Sequence, residues 1–164
     1  MAYLLKRIFF IIFLCGTIMA CEKEELTVES EVIVIEKEYI TFELEIVNLV
    51  NKHRNDLGLS NLKLLNIISK EAEPHSIYMI EKGSLSHDNL DKRTINLMNI
   101  TSALSVGENV AYGYQNPENV LKGWLNSESH RKNIEGKYYT HIGISAKKNN
   151  IGSYYITQIF IEKY

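Results

Sequence analysis

Apolar residues recur along this chain with two different periods, and the change from one to the other divides it. Phe42, Ile46, Leu49, Val50 and Leu57 fall roughly on one helical stripe, with Asn51, His53 and Arg54 off or beside it. This predicts a helix over Phe42–Leu57, with Thr41 as N-cap, Glu43 and Glu45 in the first turn and Gly58 to close it. Leu59–Leu64 reads as a short extended connector. Ile67, Ile68, Ala72, Ile77, Tyr78 and Ile80 predict a second helix, Asn66–Lys82, stopped by Gly83 and kinked or restarted at Pro74. A loop follows over Gly83–Asn89, then a third short helix over Asp91–Asn99 and an extended segment over Val106–Tyr114. Asn116-Pro117-Glu118 starts a helix, since it supplies a capping side chain, a proline at the first helical position and an acid after it. That helix carries Val120, Leu121, Trp124 and Leu125, and Ser127 or Ser129 would cap a further turn holding Arg131 to Ile134. The period then becomes two. Ile142, Ile144 and Ala146 alternate with Gly143 and Ser145, Asn149–Gly152 has turn chemistry, and Ser153–Ile161 is rich in Tyr, Ile, Thr and Phe. Helices first and a hairpin last predict an α+β domain in which helices cover an antiparallel sheet.

The first 40 residues follow neither period. Lys6 and Arg7 precede an apolar run, Ile8 to Leu14, and Ile8 to Ala20 spans only 13 residues. That is short of the roughly 20 needed for a mature membrane span, so residues 1–20 read as a signal peptide. Ile18-Met19-Ala20-Cys21 resembles a bacterial lipobox, which would make Cys21 the lipidated first residue of the mature chain. Ordinary secretion with cleavage near Ala20 is the alternative. Residues 21–40 read as a tether and 41–164 as the domain. Glu22-Lys23-Glu24-Glu25 resembles the lysine-plus-acids signal that sends some lipoproteins to the outer surface, or is a solvated spacer. Val32–Ile35 is either a short strand or a sticky linker.

Composition narrows the function classes. With 164 residues, 45% of them hydrophobic, the chain has material for one domain with a real core. Its formal charge of −2 offers no basic face for nucleic acid. Removing residues 1–20 takes away Lys6 and Arg7 and no acid, which leaves a formal −4, and it leaves Cys21 as the remaining cysteine. Stability must then come from packing rather than from disulfides.

Several segments carry candidate chemistry. In order they are Asn48–Gly58 (NLVNKHRNDLG), Leu59–Leu64, Ala72–Met79 (AEPHSIYM), Leu85-Ser86-His87, Gly107-Glu108-Asn109-Val110-Ala111, Trp124–Ile134 (WLNSESHRKNI), His141–Ile144 and Tyr155–Phe160. Their succession resembles the CAP superfamily of cysteine-rich secretory, antigen 5 and pathogenesis-related proteins, in its bacterial SCP-like branch without cysteines. The resemblance covers residues 44–161 and implies an α-β-α sandwich. It also implies a cleft holding two histidines and two glutamates, which in several members binds a divalent metal. Carried over by motif, the cleft residues are His87, Glu108 and His130. The second glutamate is missing, because its position falls at Ser127, with Glu128 beside it. Glu128 either restores the carboxylate or points to solvent.

Two imidazoles and a carboxylate suit Zn2+ or another divalent cation with an open fourth position. Without metal, the same three groups would form a hydrogen-bonded set that changes charge between about pH 5 and 8. Asn109 and Asn133 read as braces for loop backbone, Trp124 as core, Arg131 as a partner for an acid or a cap for carbonyls. His75 reads as packed on its helix, His53 as surface, and His141 as lying at the cleft rim or sheet edge. Ser127 and Ser129 invite a serine-hydrolase reading, but no nucleophile-elbow motif frames them. Tyr112, Tyr114, Tyr138 and Tyr139 are candidates to rim a groove for a peptide, glycan or lipid, and strand packing accounts equally for Tyr154 and Tyr155. The expectation is therefore a lipid-anchored bacterial envelope protein, at the outer membrane or cell surface, that uses a His/Glu cleft to hold a metal or polar ligand. The alternatives are a metal-dependent hydrolase of peptides or envelope polymers, and a structural lipoprotein with a vestigial site.

Overall fold

The computed structural model describes residues 37–164, so the signal peptide, Cys21 and most of the tether lie outside the described residues. Five helices and four strands follow one another as α1 (Thr41–Asp56), β1 (Lys63–Leu64), α2 (Asn66–Lys82), α3 (Leu90–Thr101), β2 (Ser105–Tyr112), α4 (Pro117–Asn126), α5 (Glu128–Ile134), β3 (His141–Lys148) and β4 (Tyr154–Glu162). The strands form one sheet in the order β1-β3-β4-β2. β3 and β4 make the expected hairpin, and β2 lies antiparallel to β4 with Glu108 opposite Ile159. The sheet is mixed rather than purely antiparallel. Lys63 and Leu64, read from sequence as a connector, pair in parallel with His141 and Ile142.

Both faces of the sheet are covered, which makes the domain an α-β-α sandwich. On one face, Ile46 and Val50 of α1 meet Val120 and Trp124 of α4, Ile134 of α5, and Ile142, Ile144, Ile156 and Phe160 of the hairpin. On the other, Ile68 and Ala72 of α2 and Leu97 of α3 pack against Ile159 and Ile161. The alternation in β3 therefore does not mark a solvent face, for Gly143 and Ser145 are buried as well. They are small because α2 comes close: a Cβ on Gly143 would stand 2.5 Å from the Ser69 backbone nitrogen.

Local chemistry sets the element ends. Asn116 caps α4 by accepting the Asn119 N–H at 2.9 Å, with Pro117 at the first helical position. Gly83, at φ 71°, ends α2, which runs unbroken through Pro74. At the start of α1 the N-cap is Ile40 rather than Thr41. Glu43, buried, accepts the Ile40 N–H at 3.2 Å and the Ala146 N–H at 2.8 Å, tying the helix start to β3. The expected tether ends earlier than residue 40. The Lys37 ammonium lies 2.6 Å from Glu43 and its N–H donates to Asn66, so residues 37–40 belong to the domain. Among the described residues no helix is long and apolar enough to cross a membrane.

Candidate functional site

Glu108 sits in the middle of β2, at one edge of the sheet, with its side chain fully buried. Gly107 before it leaves room for the Tyr139 hydroxyl and the Asn133 amide, which a Cβ there would displace. Arg93 on α3 grips the Glu108 carboxylate, its Nε donating at 2.8 Å to one oxygen and its Nη2 at 2.9 Å to the other. Arg93 is held in turn by donating to the Asp88 carbonyl at 2.7 Å. His87, from the α2–α3 loop, places Nδ1 2.8 Å from Glu108 Oε1. A carboxylate flanked by a guanidinium accepts, so His87 carries a proton on Nδ1 and leaves Nε2 outside this contact. The His87 side chain is 47% exposed. A short cluster between the end of α2 and this loop flanks it: Asp88 accepts from Lys82 and Tyr78 of α2, and its N–H donates to the Ser86 hydroxyl. Hydrogen bonding from Lys82, then from Tyr78 and Ser86, holds the Asp88 carboxyl well below the usual carboxylate range.

Behind this pair lies His75 of α2, 3% exposed. Its Nε2 donates to the Ser86 carbonyl at 2.7 Å and stands 3.9 Å from Glu108. Burial lowers the His75 pKa, and the Arg93 charge adds to that effect against the Ser86 carbonyl and Glu108. A depressed histidine pKa means that the folded state binds fewer protons than the unfolded state. The His75 contribution is full above the unfolded value, about 6.5, and is lost as pH falls below it toward the folded pKa. In denaturant titrations between pH 7.5 and 5, stability is therefore expected to fall on acidification, and His75→Gln is expected to flatten part of that slope. An unchanged slope in the variant would remove His75 as the source.

His130, on α5, approaches from the other side of β2. It is half-buried, and burial followed by the nearby charge of His87 lowers its pKa. His130 and Ser127 line a cleft of about 230 Å³ with Leu85, Tyr112, Tyr114 and Trp124. The floor is fixed by Trp124, whose indole N–H donates to the Val110 carbonyl at 3.0 Å. Asn109, fully buried, donates to the His130 carbonyl at 3.2 Å. Asn133 donates to the Glu108 carbonyl at 3.0 Å and to Asn109 Oδ1 at 2.9 Å. Both asparagines thus brace backbone.

Several expectations need correction. Glu128 does not join the cleft; it lies exposed on α5 and pairs with Lys132 one turn on, at 2.7 Å. Ser127 lines the cleft but hydrogen-bonds Ser129 at 3.2 Å rather than a histidine. Tyr138 and Tyr139 line other cavities, which leaves Tyr112 and Tyr114 as the aromatic rim. His53 is not free surface, since it lies 3.0 Å from Glu135. The metal set His87–Glu108–His130 does not fit its residues either. Arg93 already holds both Glu108 oxygens, and among the described residues no three His, Cys, Asp or Glu side chains are grouped to hold an ion. Sequence reasoning missed Arg93 altogether. It is a lone cation on a helix, and nothing local reveals its partner 15 residues away.

The fold agrees with comparisons to known proteins. The family model for CAP, the cysteine-rich secretory protein family, matches residues 47–160. The chain belongs to this family. The uncharacterized protein YkwD of Bacillus subtilis is 37% identical over 122 residues, 73% of this chain and 46% of that protein. The chain spans less than half the length of the curated relatives it matches. Among solved structures, an extracellular protein containing a SCP domain from Bacillus anthracis superposes with a TM-score of 0.65 at 29% identity, over 74% of this chain and 40% of that one. An outer surface protein from Borrelia burgdorferi gives a TM-score of 0.67 at 19% identity, over 77% of this chain and 98% of that one, a likeness of fold.

Proposed function

We propose that this CAP domain is a lipid-anchored binding module of the bacterial cell envelope, which takes a polar peptide or glycan ligand through His87 and the neighbouring cleft at His130. The observation that carries this reading is the His87–Glu108 pair. A buried, Arg-clamped carboxylate fixes the half-exposed imidazole through Nδ1 and leaves Nε2 free for a hydrogen bond to a ligand. His130 and the Tyr112 and Tyr114 rings supply a second polar contact and apolar walls. An extracellular setting is supported by the solved relative from Bacillus anthracis, described as extracellular. Anchoring rests on the lipobox-like sequence ending at Cys21.

Two experiments test the two halves. Binding of soluble peptidoglycan fragments to the purified protein is expected to be lost in His87→Ala and His130→Ala. Equal binding by the double variant would discard the cleft as the ligand site. The same imidazole, oriented by Glu108, is also the arrangement of a general base, so fragment turnover that His87→Ala abolishes would move the reading to a hydrolase. Cys21→Ser is expected to shift the protein from the membrane to the soluble fraction. Continued membrane association would defeat lipid anchoring.

A further inference from the structure

A second cavity lies at the opposite edge of the sheet from Glu108, where β1 meets the start of β3 and the chain leaves β4. It measures about 430 Å³, within the range of small-molecule sites. Lys63, Lys137, Lys163 and His141 line it together with Tyr164, and no Asp or Glu side chain does. In a chain with 20 acids against 18 Lys and Arg, that is a local excess of positive charge. Lys37, Lys52, Lys82, Lys132 and Lys147 each meet a carboxylate. Lys63, Lys137 and Lys163 form no ion pair among the described residues, nor does Lys163 or any other lysine pair with the carboxylate of the fully exposed Tyr164.

Thr140 fixes the main chain at two of these lysines. The Lys63 N–H donates to the Thr140 carbonyl at 3.0 Å, and the Lys163 N–H donates to the Thr140 hydroxyl at 3.0 Å. Lys63 also pairs in register with His141. Both lysine charges bear on His141, whose pKa is lowered first by burial and then by Lys63 and Lys163. Behind Ser60 of the cavity lining, the buried Arg54 guanidinium binds the Ser60 carbonyl and, among the described residues, meets no carboxylate, which adds positive potential.

We propose that this cavity is an anion site for a phosphorylated small molecule, a sugar or polyol phosphate, with Lys63, Lys137 and Lys163 on the phosphate. Lysine ammoniums are point-charge phosphate binders with three donors each. The volume leaves room beyond one phosphate group, and Ser60 and Asn61 provide polar groups for a polyol hydroxyl. The same chemistry is offered by a free phosphate monoester and by the phosphodiester units of an anionic polyol polymer.

The test is titration of the purified protein with glycerol 1-phosphate, with a poly(glycerol phosphate) and with glycerol, followed by NMR at His141 and at the Lys63 and Thr140 amides. The expected result is saturable shifts with one or both phosphates and none with glycerol, and an upward move of the His141 titration as the bound anion offsets the lysine field. Tighter binding of the monoester or of the polymer identifies the source. Lys63→Ala and Lys163→Ala are each expected to weaken binding by about tenfold or more, with His87→Ala leaving it unchanged. Lys63 is exposed, so its variant is expected to fold, with the Tm as the check. No saturable shift with either phosphate, unchanged affinity in both lysine variants, or loss of binding in His87→Ala would overturn the proposal.

Discussion

Glu108→Ala is expected to destabilise the domain by about 3–5 kcal/mol, the cost of leaving one member of a buried ion pair alone. The carboxylate is fully buried and the Arg93 side chain is 8% exposed, so water cannot replace the lost partner. For a domain of this size that corresponds to a fall in Tm on the order of 10 °C. Arg93→Ala is expected to cost a similar amount, since it strands the carboxylate. The double variant Arg93→Met, Glu108→Leu is expected to recover much of the loss, because apolar groups of similar volume carry no desolvation penalty. Urea unfolding of the three variants measures this. A single-variant cost under about 1 kcal/mol would mean that Arg93 and Glu108 are not a working pair. The singles carry a second signature: in long-range 1H–15N spectra the His87 proton is expected on Nδ1 in the wild type and redistributed to Nε2 without Glu108.

The second large effect is expected at Arg54. Its side chain is fully buried in the last turn of α1 and has carbonyls rather than a carboxylate for partners. Nε donates to Ser60 at 2.9 Å, and Nη1 donates to Ile134 at 2.7 Å and to Gly136 at 3.0 Å. Ile134 ends α5, so Arg54 satisfies a carbonyl that the helix itself leaves unpaired. Arg54→Ala removes three donors and opens a cavity, and about 3–4 kcal/mol is expected. Arg54→Lys keeps the charge without the planar fork and is expected to lose about half of that. Arg54→Met fills the volume without donors and should fall between the two. Wild-type stability in Arg54→Met would show that those carbonyls do not depend on it. Because α5 carries His130, the weaker variants are also expected to broaden the His130 resonances.

Where an element's cause is local, it is readable in the chain. The α2 boundaries Asn66–Lys82 follow from its stripe and from Gly83, and the α4 start follows from Asn116 and Pro117. The hairpin follows from its period and turn, and the succession of motifs alone puts His87 beside Glu108. What escapes has its cause in tertiary structure. β1 is a strand only because β3 lies alongside it. Gly143 and Ser145 look like a polar face, but they are the small residues that let α2 approach. Nothing in a single sequence separates Arg54 and Arg93 from solvated cations, since an exposed arginine is the ordinary case. Their acceptors are distant in sequence, and no periodicity encodes them. Glu128 illustrates the converse, a carboxylate suggested by motif position whose exposed helix face pairs it with Lys132 instead.

The entry of the chain into the domain has a mechanical consequence. Ahead of α1, the Lys37 N–H is bonded to Asn66 at the start of α2, and its ammonium is bonded to Glu43, which also holds the Ala146 N–H of β3. A pull applied to the chain before Lys37 would therefore not unzip α1 turn by turn. It would load α2 and β3 together and in shear, through a buried ion pair. A domain hung from that point bears traction on the central sheet and on the helix layer that covers one of its faces, rather than on α1 alone.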